Sequence, residues 1–495
     1  MRIVNIASEF TPLCKTGGLA DVVSALTRAL DGRGHDVRVF LPAYSSLEAL
    51  RLDRWEVDFA RDVEIQLGPH TYRYSLHHAR VPGTTFKVYL VHCPELFHRP
   101  GLYGNAEDEH RRFLLLTRAA LDACQRMGFA PDIVHCHDWH TAFAPLLLKT
   151  VYAWDQLFAK TRSVFTIHNL GYQGVFSAAH TNDLGLGAGV SHLHQGDLHA
   201  GRINALLHGL LHADSLTTVS PTYAREICTP EHGFGLDSFL RNRGDSLVGI
   251  LNGVDYAEWD PRNDPYVTDR FTPADLSGKA AAKATLLHRL RLTPTTTAPL
   301  LGVVSRLTWQ KGLDLLYESL PQLLEKRDLR VVATGSGDGA LEHFFGHLQE
   351  RFPQKVVFHR GHSEELAHWI EAASDGFIMP SRYEPCGLNQ MYSLRYGTLP
   401  IVRRTGGLAD SVQHYEAATG KGTGVVFDHA DGPGLRWALE HFLWLYGEQD
   451  HFRRAQQNAM AQDFSWERQA GHYEQLFQRL AGRSEAERTH LVEFQ

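Results

Sequence analysis

The sequence predicts an α/β chain built from two doubly wound, Rossmann-like domains, and three observations carry that reading. Short β-branched runs are each followed by a glycine or polar turn and then by a helical pattern. That series passes once through the first half of the chain and restarts in the second. One motif, KTGGLAD at residues 15–21, returns as RTGGLAD at residues 404–410. Continuous apolar strands alternating with helices imply parallel sheets covered on both faces. At 495 residues the chain exceeds what one hydrophobic core organises, so two domains of roughly 200 to 250 residues are expected.

The first series of strands reads RIVNIAS, DVRVFLP, DIVHCH, SVFTIHN and SLTTVS; the second reads LLGVVSR, LRVVATG, KVVFHRG, GFIMPS and LPIVRR. Between SLVGILNGVD and LLGVVSRLTWQKG lies a stretch at 255–298 rich in Pro, Asp, Thr and Asn, with one helical segment at 280–291. The domain junction falls at its start, giving an N-terminal domain at 1–254 and a C-terminal domain at 255–465. The tail at 466–495 opens with the strongly helical WERQAGHYEQLFQRLAG and is expected to pack back on the first domain. In open α/β sheets ligands bind beyond the carboxyl ends of the strands, so two facing domains predict a ligand cleft between them.

Composition narrows the class of function. The apolar fraction of 43% and charged fraction of 21% are those of an ordinary soluble protein. A net charge of −7 supplies no global basic field for nucleic acid or an anionic membrane, so any bound anion must meet local cations. MRIVNIASEF reads as a first strand without a long apolar run or cleavage site, and no stretch approaches the ~20 apolar residues of a membrane span. The six cysteines, Cys14, Cys93, Cys124, Cys136, Cys228 and Cys386, show no CxxC spacing. Reduced thiols and a cytoplasmic setting follow.

In KTGGLADVVSALTRAL a glycine pair, Gly17 and Gly18, leads into an amphipathic helix with Leu19, Val22, Val23, Leu26 and Leu30 on one face. Glycine there lets backbone N–H groups approach an anion at the helix N-terminus, and Lys15 adds a full charge. The alternative is a helix that needs only a flexible start. Two copies with matching cations, placed on opposite walls of the cleft, would hold one phosphate-bearing ligand from both sides. SRLTWQKGLDLL sets Arg306 and Lys311 on the loop after the first strand of the second domain, suited to a diphosphate whose charge grows as it leaves, or else simply solvated.

In MPSRYEPCGLNQ, Glu384 follows a strand and should stand at the cleft mouth, where a carboxylate accepts two sugar hydroxyls; the competing reading is a surface turn. Cys386 has no paired histidine and reads as buried rather than nucleophilic. HCHDWH looks like a metal cluster but lacks partner spacing, and the simpler reading is a strand-end loop offering Asp138 to a substrate hydroxyl. FTIHNLGYQG ends the next strand with His168 and Asn169, functional or structural. Gly335, Gly337 and Ala340 in ATGSGDGALE fit a dinucleotide fingerprint. However, their strand is the second of its domain, and no acid ends the next one to take a ribose hydroxyl, so hydride transfer is disfavoured.

Taken in order, KTGGLADV, HDWH, IHNLGYQG, ILNGVD, SRLTWQKGLDLL, SRYEPCGLNQ and GTLPIVRRTGGLAD resemble the bacterial glycogen synthase and plant starch synthase family over nearly the whole chain. The resemblance implies a GT-B architecture, and transfer of glucose from ADP-glucose to the non-reducing end of an α-1,4-glucan with retention of configuration. It implies no metal and no other cofactor, ADP-glucose being a substrate. By the same resemblance Lys15, Gly17 and Gly18 approach the donor, with Tyr103 and Asn252 at further substrate-binding positions. Arg306 and Lys311 neutralise the departing ADP, and Glu384 holds glucose hydroxyls beside the backbone of Cys386, Gly387 and Leu388. Asp138, His168 and Asn169 line the sugar pocket, while Thr405 and Gly406 contact the distal phosphate.

One departure concerns the E-x7-E pattern of the wider retaining superfamily: eight residues after Glu384 stands Tyr392. The synthase branch is similar in lacking that second acid, so no role falls to a second carboxylate of the kind a retaining hydrolase uses. Two alternatives stand beside this expectation: a related GT-B transferase with another nucleotide sugar, and an inactive glucan-binding regulatory protein.

Overall fold

The computed structural model describes residues 1–50, 52–81 and 83–482, so the end of the predicted tail, 483–495, lies outside the described residues. The chain divides into two compact units. One holds Met1–Val219, Ala224–Gly253 and the chain from Trp466; the other holds Ser220–Tyr223 and Val254–Ser465.

In the first unit the strands are β1 (Arg2–Ile6), β2 (Asp36–Pro42), β3 (Arg54–Glu56), β4 (Val63–Leu67), β5 (His70–Ala79), β6 (Lys87–His92), β7 (Ile133–His137), β8 (Arg162–Ile167), β9 (Val175–Ser177), β10 (Arg202–Asn204), β11 (Ser215–Thr218) and β12 (Leu247–Gly249). The main sheet runs β12-β11-β8-β7-β1-β2-β6-β5-β3, with β4 on β5. From β12 to β6 every pairing is parallel; Ile3 lies opposite Val37 on one side and Ile133 on the other. The four last residues of β1 are all buried, as strands covered on both faces require.

From β5 outward the pairing turns antiparallel, which the expectation of parallel sheets did not include. The cause is local. Leu67 pairs with His70, so only Gly68 and Pro69 join β4 to β5, and a two-residue turn cannot connect parallel strands.

In the second unit β13 (Leu300–Val304), β14 (Arg330–Gly335), β15 (Val356–Arg360), β16 (Gly376–Met379), β17 (Leu399–Arg403) and β18 (Val425–Phe427) form a wholly parallel sheet in the order β15-β14-β13-β16-β17-β18. This is the doubly wound order in which strand direction of travel reverses between β13 and β16. The first unit reverses in the same way between β1 and β7. Each reversal opens a crevice at the carboxyl ends of two neighbouring strands, and those ends carry most of the residues singled out above.

The helix Trp466–Leu480 packs on the helix Gly18–Gly32 of the first unit. Glu474 accepts from Arg33 Nη1 and pairs with His35 Nε2, each at 3.0 Å. Tyr473 and Phe477 lie against the ring of His135 in β7, so this helix supports the strand that ends at Asp138.

Candidate functional site

In the first unit the crevice is lined from β1 and β7. The chain leaves β1 through Ser8 and Glu9, and Glu9 is buried. Its carboxylate accepts the Thr16 N–H at 2.5 Å, the Thr16 hydroxyl at 2.7 Å and the Gly17 N–H at 3.2 Å. The Tyr103 hydroxyl donates to the same group at 2.5 Å and lies 2.8 Å from Ser8 Oγ, while its ring stacks on His140 at 4.7 Å. The KTGG loop is therefore moulded on an anion that the chain itself supplies. Sequence reasoning passed over Glu9; its signal was a carboxylate just past the carboxyl end of the first strand.

Lys15 is half exposed and pairs with Asp21 at 2.9 Å. A Cβ added at Gly17 would meet nothing within 4 Å, and its φ of −158° is open to any residue. Neither crowding by this chain nor backbone strain explains glycine there. The helix that follows buries Leu19, Val22, Val23, Leu26 and Leu30, the face that the spacing predicts.

β7 ends at His137, and Asp138 then takes a left-handed φ of +51°, a conformation that costs most L-residues energy and that aspartate adopts more readily than most. Its Oδ1 accepts the His168 N–H at 2.7 Å and the Asn169 N–H at 3.4 Å, so the two strand-end loops are tied through this one oxygen. Burial pushes the Asp138 carboxyl up to about 7 against those two hydrogen bonds. His168 Nε2 lies 3.0 Å from His137 Nδ1, and His137 Nε2 lies 3.1 Å from Asn5 Oδ1. Burial holds His168 down to about 3 and His137 well below its ordinary value, so this chain of rings is neutral at physiological pH. The HDWH histidines thus pair with neighbouring rings and an amide. Asn252, after β12, is buried, and its Oδ1 has no hydrogen-bond partner among the described residues.

In the second unit the crevice lies between the ends of β13 and β16. Arg306 follows β13 and is exposed, and its guanidinium makes no hydrogen bond or ion pair among the described residues. The loop that carries it is propped from behind: Leu307 N–H donates to Ser336 O at 2.8 Å and Asp338 N–H to Leu307 O at 2.7 Å. A Cβ at Gly335 would stand 1.9 Å from Ser305 O, and one at Gly337, where φ is +149°, would stand 2.3 Å from Leu307 O. The glycines that imitate a dinucleotide fingerprint let this backbone pass close behind Arg306.

Lys311 and Glu384, assigned separate tasks from sequence, form one ion pair: Nζ to Oε2 at 2.5 Å, with the Ser381 hydroxyl donating to the same oxygen at 3.0 Å. Glu384 is buried and Lys311 nearly so. An ammonium has three donors, so one spent on Glu384 leaves others for a ligand. Arg382 clamps the same corner by a bidentate pair to Asp314 at 2.7 and 2.6 Å. Asn389 Nδ2 donates to Val304 O at 2.8 Å, tying the helix Asn389–Arg395 to the end of β13. Leu388 precedes that helix, Gly387 takes φ +71°, and Cys386 is buried with its carbonyl held by Gln390 Nε2 at 3.1 Å.

The second copy of the repeated motif differs from the first. Its helix, Gly406–Ser411, is short, with Thr405 buried before it. A Cβ at Gly406 would stand 1.9 Å from Glu384 O and one at Gly407 2.1 Å from Cys386 O; the Gly407 N–H donates to Glu384 O at 3.1 Å. Here the glycines are demanded by the chain, because the Glu384 loop rests on them. Arg404 turns to Asp428 at 2.7 Å. The aspartates of the two copies do agree: Asp21 accepts the Thr11 hydroxyl and Asp410 the Thr222 hydroxyl, each at 2.7 Å. The shared letters therefore serve a common loop anchor, and only the first copy leaves its glycine facing open space.

Comparison with known proteins identifies the family. Residues 2–242 match the family model described as the starch synthase catalytic domain, and residues 288–459 the one described as glycosyl transferases group 1. A glycogen synthase of Myxococcus xanthus is 45% identical over 485 residues, covering 97% of this chain and 99% of the relative. One from Thioalkalivibrio sulfidiphilus is 44% identical over 498 residues, covering 97% and 100%. The solved catalytic domain of starch synthase IV from Arabidopsis thaliana, bound to ADP and acarbose, matches with a TM-score of 0.88 at 36% identity over 97% of this chain and 99% of that one. Sucrose-phosphate synthase from Thermosynechococcus elongatus, at 18% identity, TM-score 0.61 and 98% and 100% coverage, shares the fold alone. The chain thus belongs to the glycogen synthase and starch synthase family of glycosyltransferases, with the GT-B fold.

Proposed function

We propose that this glycosyltransferase takes glucose from ADP-glucose, adds it to the non-reducing end of an α-1,4-glucan and retains the anomeric configuration. The observation that carries the reading is that two cations follow β13 at its junction with β16: Lys311, held by Glu384, and Arg306, whose guanidinium has no partner among the described residues. Two cations at one crevice are what a departing diphosphate requires, since each gains strength as negative charge moves onto the leaving oxygen. The resemblance to a starch synthase structure that holds ADP and acarbose supports the nucleotide and the glucan.

In this reading the diphosphate is met by Arg306, Lys311 and the backbone of Thr405 and Gly406. Lys15, Gly17 and Gly18 are assigned to donor binding by the family resemblance. Glu384 keeps Lys311 in place and offers its remaining lone pairs to glucose hydroxyls, with Cys386, Gly387 and Leu388 supplying backbone beside it. Asp138, His168, Asn169, Tyr103 and Asn252 border the sugar. The acceptor hydroxyl attacks the anomeric carbon from the face that ADP leaves, and its proton passes to the leaving phosphate oxygen. No enzyme carboxylate forms a bond to glucose, which fits Asp138 being engaged by the two loop amides. The site of action proposed is the cytoplasm, in keeping with free cysteines, five of them buried; no helix among the described residues is long and apolar enough to cross a membrane.

A direct assay tests the substrate. Glycogen with ADP-glucose, in the presence of EDTA, should release ADP and extend the glucan with α-linked glucose, while UDP-glucose should turn over far more slowly. A preference for UDP-glucose would move the chain to another donor, and glucan binding without nucleotide release would make it a binding protein.

A further inference from the structure

Among the described residues, two clusters of metal-ligating side chains lie outside the proposed active site. The first, His110, His180 and Asp183, already contains a fixed cation: Arg111 Nε donates to Asp183 Oδ2 at 2.7 Å, and its Nη2 lies 3.3 Å from His180 Nδ1. The second, Glu258, Glu364 and His368, belongs wholly to the second unit and is arranged differently.

His368 lies on the helix Glu364–Ala373 with its ring fully buried. Nδ1 pairs with Asp264 Oδ2 at 2.8 Å, and Asp264 is itself held by the Tyr396 hydroxyl and by the Tyr266 and Val267 N–H groups. Trp259 stacks on the ring at 3.7 Å with planes 13° apart, so the imidazole cannot turn. Its other nitrogen, Nε2, is buried and makes no hydrogen bond. Glu364 Oε1, one helical turn back, stands 3.8 Å from Nε2, too far for a hydrogen bond. That separation matches the roughly 3–4 Å between neighbouring ligand atoms when metal–ligand bonds are ~2.0–2.2 Å. The Glu258 carboxylate offers a third atom, all three lying within 4.8 Å of one another. Asp264 engages Nδ1 and leaves Nε2 facing the two carboxylates, the carboxylate–histidine arrangement found behind metal-bound imidazoles. His362 Nε2 steadies Glu364 Oε2 at 2.9 Å, and Glu258 is exposed, which gives an ion a way in.

We propose that Glu258, Glu364 and His368 bind a divalent transition ion of the zinc class, one imidazole and two carboxylates leaving a fourth position for water. The ion fastens the start of the second unit to the helix Glu364–Ala373. It takes no part in glucosyl transfer, and the inference stands apart from the proposed reaction.

Zinc titrated calorimetrically into EDTA-treated, dialysed full-length protein tests it, with cobalt absorption as a second readout. Wild type should bind zinc and gain thermal stability on doing so. Loss even of an outer-shell partner costs about 10–100-fold in metal affinity, so Glu258→Gln or Glu364→Gln should weaken binding at least ~10-fold. The double variant should lose one zinc equivalent, the cobalt band and the zinc-dependent rise in Tm. Glu258→Gln, at an exposed position, serves if the double variant fails to fold. Unchanged zinc stoichiometry and affinity in these variants, or no zinc binding by wild type, would overturn the assignment.

Discussion

Replacing Lys311 with alanine is expected to lower kcat by ~10²–10³ while donor Kd changes less than ~10-fold, because a charge aimed at a leaving diphosphate acts mainly in the transition state. The same change should destabilise the fold. Glu384 is buried, and its carboxylate would lose the ammonium 2.5 Å away, leaving the Ser381 hydroxyl as its named donor. Removing one partner of a buried pair costs about 3–5 kcal/mol. Arg306→Ala separates the two effects. Its guanidinium is unpartnered in the described structure, so stability should move by less than about 0.5 kcal/mol while kcat still falls ~10²-fold or more. Equal losses in kcat and donor affinity for both variants, read by single-turnover kinetics and equilibrium binding, would show that these cations only hold the ground state.

Asp138→Asn is expected to gain stability and lose activity. Burial raises the folded-state pKa to about 7, against an ordinary aspartate near 3.9. Between those two values the unfolded chain has lost its proton and the folded chain keeps it. Stability contributed by this group is therefore present below about pH 4 and lost as pH rises through 7. At about 1.4 kcal/mol per unit, the cost at pH 8 is on the order of 4 kcal/mol. Asparagine retains an oxygen for the His168 and Asn169 N–H groups and carries no charge, so urea unfolding at pH 8 should show a more stable variant, with the difference shrinking toward pH 4. The role proposed for Asp138 at the sugar predicts that kcat falls in the same variant. A variant less stable than wild type at pH 8 would show that the carboxylate is a structural anchor.

The parallel core of both sheets was legible because each strand is a short apolar run with punctuation on either side. The antiparallel edge was not: β5, HTYRYSLHHA, is polar and histidine-rich, and its direction relative to β4 is set by the turn at Gly68 and Pro69. Arg306, Lys311, Glu384 and Asp138 stood out by residue type at strand ends. What sequence spacing could not supply was their pairing, since Lys311 and Glu384 lie 73 residues apart and meet only because β13 and β16 are neighbours. The repeated motif misled in part: its glycines face open space at Gly17 but carry the Glu384 loop at Gly406 and Gly407. Glycine records a close approach without saying whether the visitor is ligand or chain. Gly335 and Gly337 taught the same lesson, their neighbour being the backbone behind Arg306.

The most direct test is a crystal structure of the protein with ADP. The expected result is a diphosphate within hydrogen-bond distance, ~2.7–3.2 Å, of both the Arg306 guanidinium and Lys311 Nζ, with the Lys311–Glu384 pair intact. A nucleotide bound in register but with its phosphates directed away from Arg306 and Lys311 would contradict it.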